Sequence, residues 1–127
     1  MGLVLFTALG SVVGGLARFG LGLYVDRRVG VRFPWSTLLV NLSGSFAIGV
    51  GAALALSAGA GPQSWMASFW ITGFLGSYTT VSAFSMQTLM LYRQRGPGSA
   101  AINVGISVAG GLFAAMAGWI LGGGVLV

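Results

Sequence analysis

The sequence predicts an all-α integral membrane protein with four transmembrane helices, the third of them broken at mid-membrane. Composition is the first reason. Of 127 residues, 56% are hydrophobic and 6% charged, and the mean hydropathy is +0.94; a soluble domain carries about a quarter charged residues. Spacing is the second. Apolar stretches at about 2–25, 36–57, 65–92 and 100–125 each meet the roughly 20 residues that one bilayer crossing needs, and together they make a single domain. The third reason is the run Gly73-Phe74-Leu75-Gly76-Ser77-Tyr78-Thr79-Thr80-Val81-Ser82-Ala83-Phe84-Ser85, rich in Gly, Ser and Thr inside an uncharged stretch. A straight lipid-facing helix is not written this way. The run predicts a helix that breaks near Gly76–Thr79 and restarts. Such a break frees backbone groups that hydrocarbon cannot satisfy, so it is tolerated where protein or water covers it. A Gly-rich packing kink is the plain alternative.

The first span is uncharged until Arg18, and Gly10 and Gly14 lie four apart, which lets a neighbouring helix come close. It lacks a basic leader and a clear cleavage site, and is expected to be a retained span. The first loop is Asp26-Arg27-Arg28-Val29-Gly30-Val31-Arg32-Phe33-Pro34, flanked by Tyr24 and Trp35 at interfacial positions. The second span carries Asn41 as its one strongly polar side chain. Ala58 to Gln63 forms an uncharged turn. Arg93-Gln94-Arg95-Gly96-Pro97-Gly98 is the third loop. In the fourth span Gly110, Ala114, Gly118 and Gly122 recur every four residues as a small-residue packing stripe.

Charge sets orientation. Loops one and three carry Arg27, Arg28, Arg32, Arg93 and Arg95; the termini and loop two carry no basic side chain. The positive-inside rule places loops one and three in the cytoplasm and the termini outside, in a multi-pass plasma-membrane protein. Net charge of +5 does not indicate nucleic acid, because the few arginines flank apolar spans.

The same inventory removes most chemistry. There is no His, Cys, Lys or Glu, and Asp26 is the only carboxylate. Neutral-pH acid–base catalysis and chelation of divalent metals by side chains are therefore not expected. The polar groups inside the spans are nearly all uncharged donors: Thr37, Asn41, Thr80, Ser82, Ser85, Gln87, Thr88, Asn103 and Ser107. Donors without carboxylates suit a small anion, whereas cation paths more often show Asp or Glu. Thr37 and Asn41 share a helical face, and so do Asn103, Ser107 and Gly111. Asn41 fits helix glue and pore lining equally. Arg18 fits a snorkelling anchor or a vestibule cation. Phe84 on chemistry alone is core filling, although a ring edge can face an anion.

These residues resemble the fluoride channel family (Fluc, also called CrcB). The resemblance spans the chain and rests on Gly14-Gly15-Leu16-Ala17-Arg18, Ser36-Thr37-Leu38-Leu39-Val40-Asn41 and the Gly73–Ser85 run, which is similar to the family's Gly-x-x-Gly-Gly-x-Thr-Thr-Phe-Ser-x-Phe-Ser pattern. It implies an antiparallel dual-topology dimer of four-helix subunits that conducts fluoride passively and confers fluoride resistance. It implies a structural sodium ion at the dimer centre, held by backbone carbonyls that fall here on Gly76 and Thr79. The family's pore asparagine falls on Asn41, its second pore phenylalanine on Phe84 and its vestibule arginine on Arg18. Its polar track falls on Asn103, Ser107 and Gly111, with Thr37 and Thr88 beside the path.

Four departures stand out. Val81 replaces the first pore phenylalanine, Ser77 a glycine of the break, Gln87 a common glutamate, and Gly111 the last hydroxyl of the track. A dual-topology homodimer needs nearly balanced loop charge, so the arginine bias favours pairing with a reverse-oriented paralogue over a second copy. Partners are then fluoride, membrane lipid and that second chain. Besides a fluoride-selective channel subunit, a non-conducting or partly degraded structural subunit of a heterodimer fits these departures. A small drug-exporting transporter does not fit, since it relies on a carboxylate in the first span.

Overall fold

A computed structural model describes residues 1–59 and 64–124. Every element among them is helical: α1 (Gly2–Val29), α2 (Trp35–Ser57), a π-helical segment (Ala67–Leu75), a single turn α3 (Gly76–Tyr78), α4 (Val81–Arg95) and α5 (Pro97–Leu121). α1, α2 and α5 are long and apolar enough to cross a membrane. The third expected span is present as two pieces, the π-helical segment with α3 and then α4.

Several boundaries differ from the sequence expectation, each for a local reason. α1 runs on through Asp26, Arg27 and Arg28, which were expected in the loop. It stops at Gly30, whose φ of 85° is a conformation favoured by glycine and whose N–H donates to the Asp26 carbonyl at 3.0 Å. Arg27 and Arg28 sit in the last turn, where the helix dipole favours cations. α4 continues past Tyr92 to Arg95 and closes at Gly96, φ 87°, with Arg93 and Arg95 again in the last turn. α5 begins at Pro97 rather than near Ala100, because proline's missing N–H and fixed φ suit the first helical position. Val125, the expected end of the fourth span, and Ala60 to Gln63 of the second loop lie outside the described residues.

The break lies at the far end of the expected Gly76–Thr79 stretch. Gly76 is helical, with φ −63° and ψ −31°. The chain leaves the helix at Thr79 (ψ 157°) and Thr80 (φ −150°, ψ 121°) and re-enters at Val81. Thr80 is the cap of α4: its Oγ1 accepts the Ala83 N–H at 3.2 Å.

Small residues set the packing. A methyl on Gly118 would strike the Phe46 carbonyl and one on Gly49 the Ala115 carbonyl, so α2 and α5 touch backbone to backbone. Gly110 faces Leu42 and Gly122 faces Ala53, which completes the stripe read from the sequence. α1 docks on the π-helical segment in the same way: Gly10 lies against the Phe69 carbonyl, Gly14 against that of Phe74, and Gly73 against that of Thr7. The buried apolar set is small, chiefly Val25, Leu38, Val40, Leu75 and Leu91. Large side chains such as Leu16, Phe19, Leu54, Leu112 and Phe113 point outward. Helices that are apolar all round, joined by glycine contacts, are the pattern of lipid-embedded packing.

Candidate functional site at the helix break

Thr80 is 8% exposed, and leaving the helix strips its peptide of helical partners. Asn41 on α2 supplies them. Its Oδ1 accepts the Thr80 N–H at 2.8 Å and its Nδ2 donates to the Thr80 carbonyl at 3.0 Å. One side-chain amide thus pairs with both backbone groups of one residue, and this fixes which way the amide faces. Asn carries two N–H groups. Among the described residues the second meets no acceptor, and Asn41 lines a cavity.

Leaving the helix frees the last carbonyls of the upstream segment, those of Gly76 and Thr79 among them. In a continuous α-helix Gly76 C=O would accept from Thr80 N–H, and Thr79 C=O from Ala83 N–H. Those donors go instead to Asn41 Oδ1 and Thr80 Oγ1. Gly76 and Thr79 therefore present backbone oxygens without their helical donors, and oxygen ligands of this kind suit a hard cation.

The cavity beside Asn41 measures about 170 Å³ and is lined by Asn41, Thr80, Val81, Phe84, Ser107 and Val108. Ser107 does not bond back to its own helix, so its hydroxyl is free to face the cavity. Val81 stands at the mouth, 76% exposed. A second cleft of about 620 Å³ lies on the other side of the break and contains Arg18, Thr37, Ser82 and Gln87 as well as Asp26. Thr80 lines both spaces.

The remaining sequence-predicted residues take other places. Asn103 is 2% exposed; its Nδ2 donates to Thr88 Oγ1 at 2.8 Å, and Thr88 Oγ1 in turn donates to the Phe84 carbonyl at 2.7 Å. This relay ties α5 to α4 and holds the backbone under the Phe84 ring. Neither Asn103 nor Thr88 lines the cavity in the single chain. Gly111 lies near Ser45 Oγ, away from it. Ser77 donates to the Ser11 carbonyl at 2.7 Å, and Ser11 Oγ reaches back to the Gly73 carbonyl at 3.4 Å, so two serines strap α1 to the upstream side of the break. The sequence reading passed over Ser11, although its place between Gly10 and Gly14 marks the docking face. It also passed over Ser43. Ser43 uses its proton on the Val40 carbonyl, so at 2.9 Å it accepts from the Tyr78 hydroxyl. The Tyr78 ring stacks on Phe74 at 5.7 Å and 9°.

Comparison with known proteins agrees with the motifs. Residues 5–119 match the family described as CrcB-like protein, Camphor Resistance (CrcB). The chain is 46% identical over 125 residues to the fluoride-specific ion channel FluC 2 of Bradyrhizobium diazoefficiens, covering 96% of this chain and 90% of that one. It is 52% identical over 120 residues to the FluC 2 of Rhodopseudomonas palustris strain BisB18, covering 91% and 89%. The same strain also has a FluC 1, 41% identical over 120 residues, covering 90% of this chain and 82% of its own.

Proposed function

This chain belongs to the CrcB-like family, and from that premise we propose that it is a subunit of a fluoride-selective channel giving passive fluoride export and fluoride resistance. The observation that carries the reading is the cavity at the break. It brings the spare N–H of Asn41, the free hydroxyl of Ser107 and the ring of Phe84 together, with no carboxylate among its lining residues. Fluoride is small and strongly hydrated, so a path for it must replace water with fixed donors. An amide locked by two bonds to Thr80 is such a donor, since it needs no reorientation when the ion arrives. Arg18, in the wider cleft across Thr80, supplies the attracting charge.

The liberated carbonyls of Gly76 and Thr79 fit a structural sodium ion. Their backbone oxygens would hold the ion, and the ion would offset the negative ends of those carbonyl dipoles. An antiparallel partner would bring its own break to the same place.

The partner is a reverse-oriented paralogue. The cleft lined by both Arg32 and Gln94 brings loops one and three to one end of the bundle, so the arginine bias is a property of one membrane face. That end is cytoplasmic in a plasma-membrane protein. The two relatives from one Rhodopseudomonas strain are consistent with paired chains. Val81, exposed at the cavity mouth, and Gly111, without a hydroxyl, favour a second reading in which this chain's own path is degraded and its partner conducts.

Fluoride efflux from liposomes holding this chain alone, with chloride as control, tests both. Selective efflux establishes a self-sufficient channel and refutes the obligate heterodimer. No efflux alone, but efflux with a reverse-biased relative, establishes the pair. No efflux in either setting refutes the channel reading.

A further inference from the structure

The direction of a backbone carbonyl is set by the residues on both sides of it. For Thr79 the following residue, Thr80, is held by Asn41. The preceding residue, Tyr78, is held by α2 as well, since its hydroxyl donates to Ser43 Oγ at 2.9 Å. Gly44 lies three positions after Asn41, on the same side of α2, and is buried. A methyl on Gly44 would strike the Thr79 methyl and come within 3.3 Å of the Tyr78 ring. Turning the Thr79 methyl aside would take its Oγ1 off the Leu75 carbonyl, to which it donates at 3.0 Å. One turn of α2, from Asn41 to Gly44, thus touches Tyr78, Thr79 and Thr80 in succession.

Thr79 makes no hydrogen bond to α2 itself. Its N–H and its hydroxyl both go back to the Leu75 carbonyl, and its ψ of 157° turns its own carbonyl out of the helical ladder. That carbonyl is therefore aimed by its neighbours and by the seat beneath its side chain. The geometry points to Ser43, Gly44 and Tyr78 as positioning residues for the cation site. Gly44 is the seat for the Thr79 methyl, and the Ser43–Tyr78 bond is the pin that holds the Thr79 carbonyl in its binding direction before the ion arrives. All three act through the Thr79 backbone. A ligand fixed in advance binds an ion more tightly than one that must be ordered on binding. The inference rests on reading Gly76 and Thr79 as the sodium ligands.

Thermal melting of the full chain in detergent tests this, alone and with a reverse-oriented relative, as sodium chloride replaces N-methylglucamine chloride at constant total salt. Wild-type melting is expected to rise with sodium. Tyr78→Phe and Ser43→Ala are each expected to raise the sodium concentration needed for a given rise about fivefold, the weight of one hydrogen bond. Combining them is expected to do no more than either alone, since both remove the same bond. Ser43→Thr keeps the hydroxyl and is expected to behave as wild type. Gly44→Ala is expected to raise the sodium requirement further, and the two hydroxyl variants carry the test where that substitution stops folding. A sodium requirement within twofold of wild type in either hydroxyl variant overturns the proposal. So does a drop in melting that is the same with and without sodium, which marks a bond that serves the fold alone. Wild-type melting indifferent to sodium in both settings refutes the sodium reading itself, and the proposal falls with it.

Discussion

Replacing Asn41 by alanine removes both partners of the Thr80 peptide at once. The N–H at 2.8 Å and the C=O at 3.0 Å lose their acceptor and donor, and Thr80 is buried. Leaving a buried backbone group unmet costs about 1–3 kcal/mol, so the pair amounts to about 2–6 kcal/mol. The chain has one escape. Thr80 can rejoin the helix and give its N–H to the Gly76 carbonyl, which restores the backbone bond but closes the break. Either route disables the site, the first by destabilising the fold and the second by consuming a liberated carbonyl and turning Phe84 out of place. Fluoride efflux from liposomes, alone or with a reverse-oriented partner, is expected to fall at least about tenfold, equivalent to about 1.4 kcal/mol. Melting in detergent should drop in parallel. Asn41→Asp sharpens the test, since it keeps an acceptor for Thr80 N–H but aims a second oxygen at the Thr80 carbonyl and removes the spare donor. An Asn41→Ala protein with wild-type melting and efflux within about twofold, well under 1 kcal/mol, would refute the clamp.

Other substitutions probe separate parts of the structure. Gly118→Leu is expected to abolish monodisperse protein on size-exclusion chromatography, because its side chain would enter the Phe46 carbonyl. Gly105→Ala, with nothing near its Cβ position, should be neutral or raise helix stability by up to about 1 kcal/mol in a melting experiment. Asn103→Ala should lower stability by about 1–3 kcal/mol and loosen Phe84, read as a lower melting temperature with a reduced fluoride rate. Val81→Phe should leave melting unchanged, since Val81 is 76% exposed and a larger ring meets no core; efflux that rises with it would assign the narrowing of the path to this position.

Features that depend on one helix's own spacing were legible in the sequence. Gly110, Gly118 and Gly122 face α2 as their four-residue recurrence required, and Gly10 and Gly14 take a close neighbour. Asn41 stood out as the lone amide of its span. Its partner did not, because Thr80 lies 39 positions away and pattern within a helix says nothing about what the helix meets. The break falls at the Thr79 end of the expected Gly76–Thr79 stretch, because the helix opens where Asn41 and the Thr80 side chain offer the backbone an alternative to the ladder. The family resemblance sets Asn103 on the polar track, and spacing puts it on one face with Ser107; its bond to Thr88 comes from how α5 meets α4, which spacing within one helix does not carry.

The winding of Ala67–Leu75 has a consequence for how this chain can change over generations. A π-helical stretch accommodates more residues per turn than an α-helix spanning the same length. Deleting a single residue there has an outlet, because the segment can tighten to ordinary α-helix and largely keep its two ends in phase. An inserted residue has none, since the segment is already wound wide and each added α-helical residue advances the side-chain direction by about 100°. Gly73 would then swing off Gly10 and Ser77 off Ser11, so this short stretch should tolerate the loss of a residue better than the gain of one.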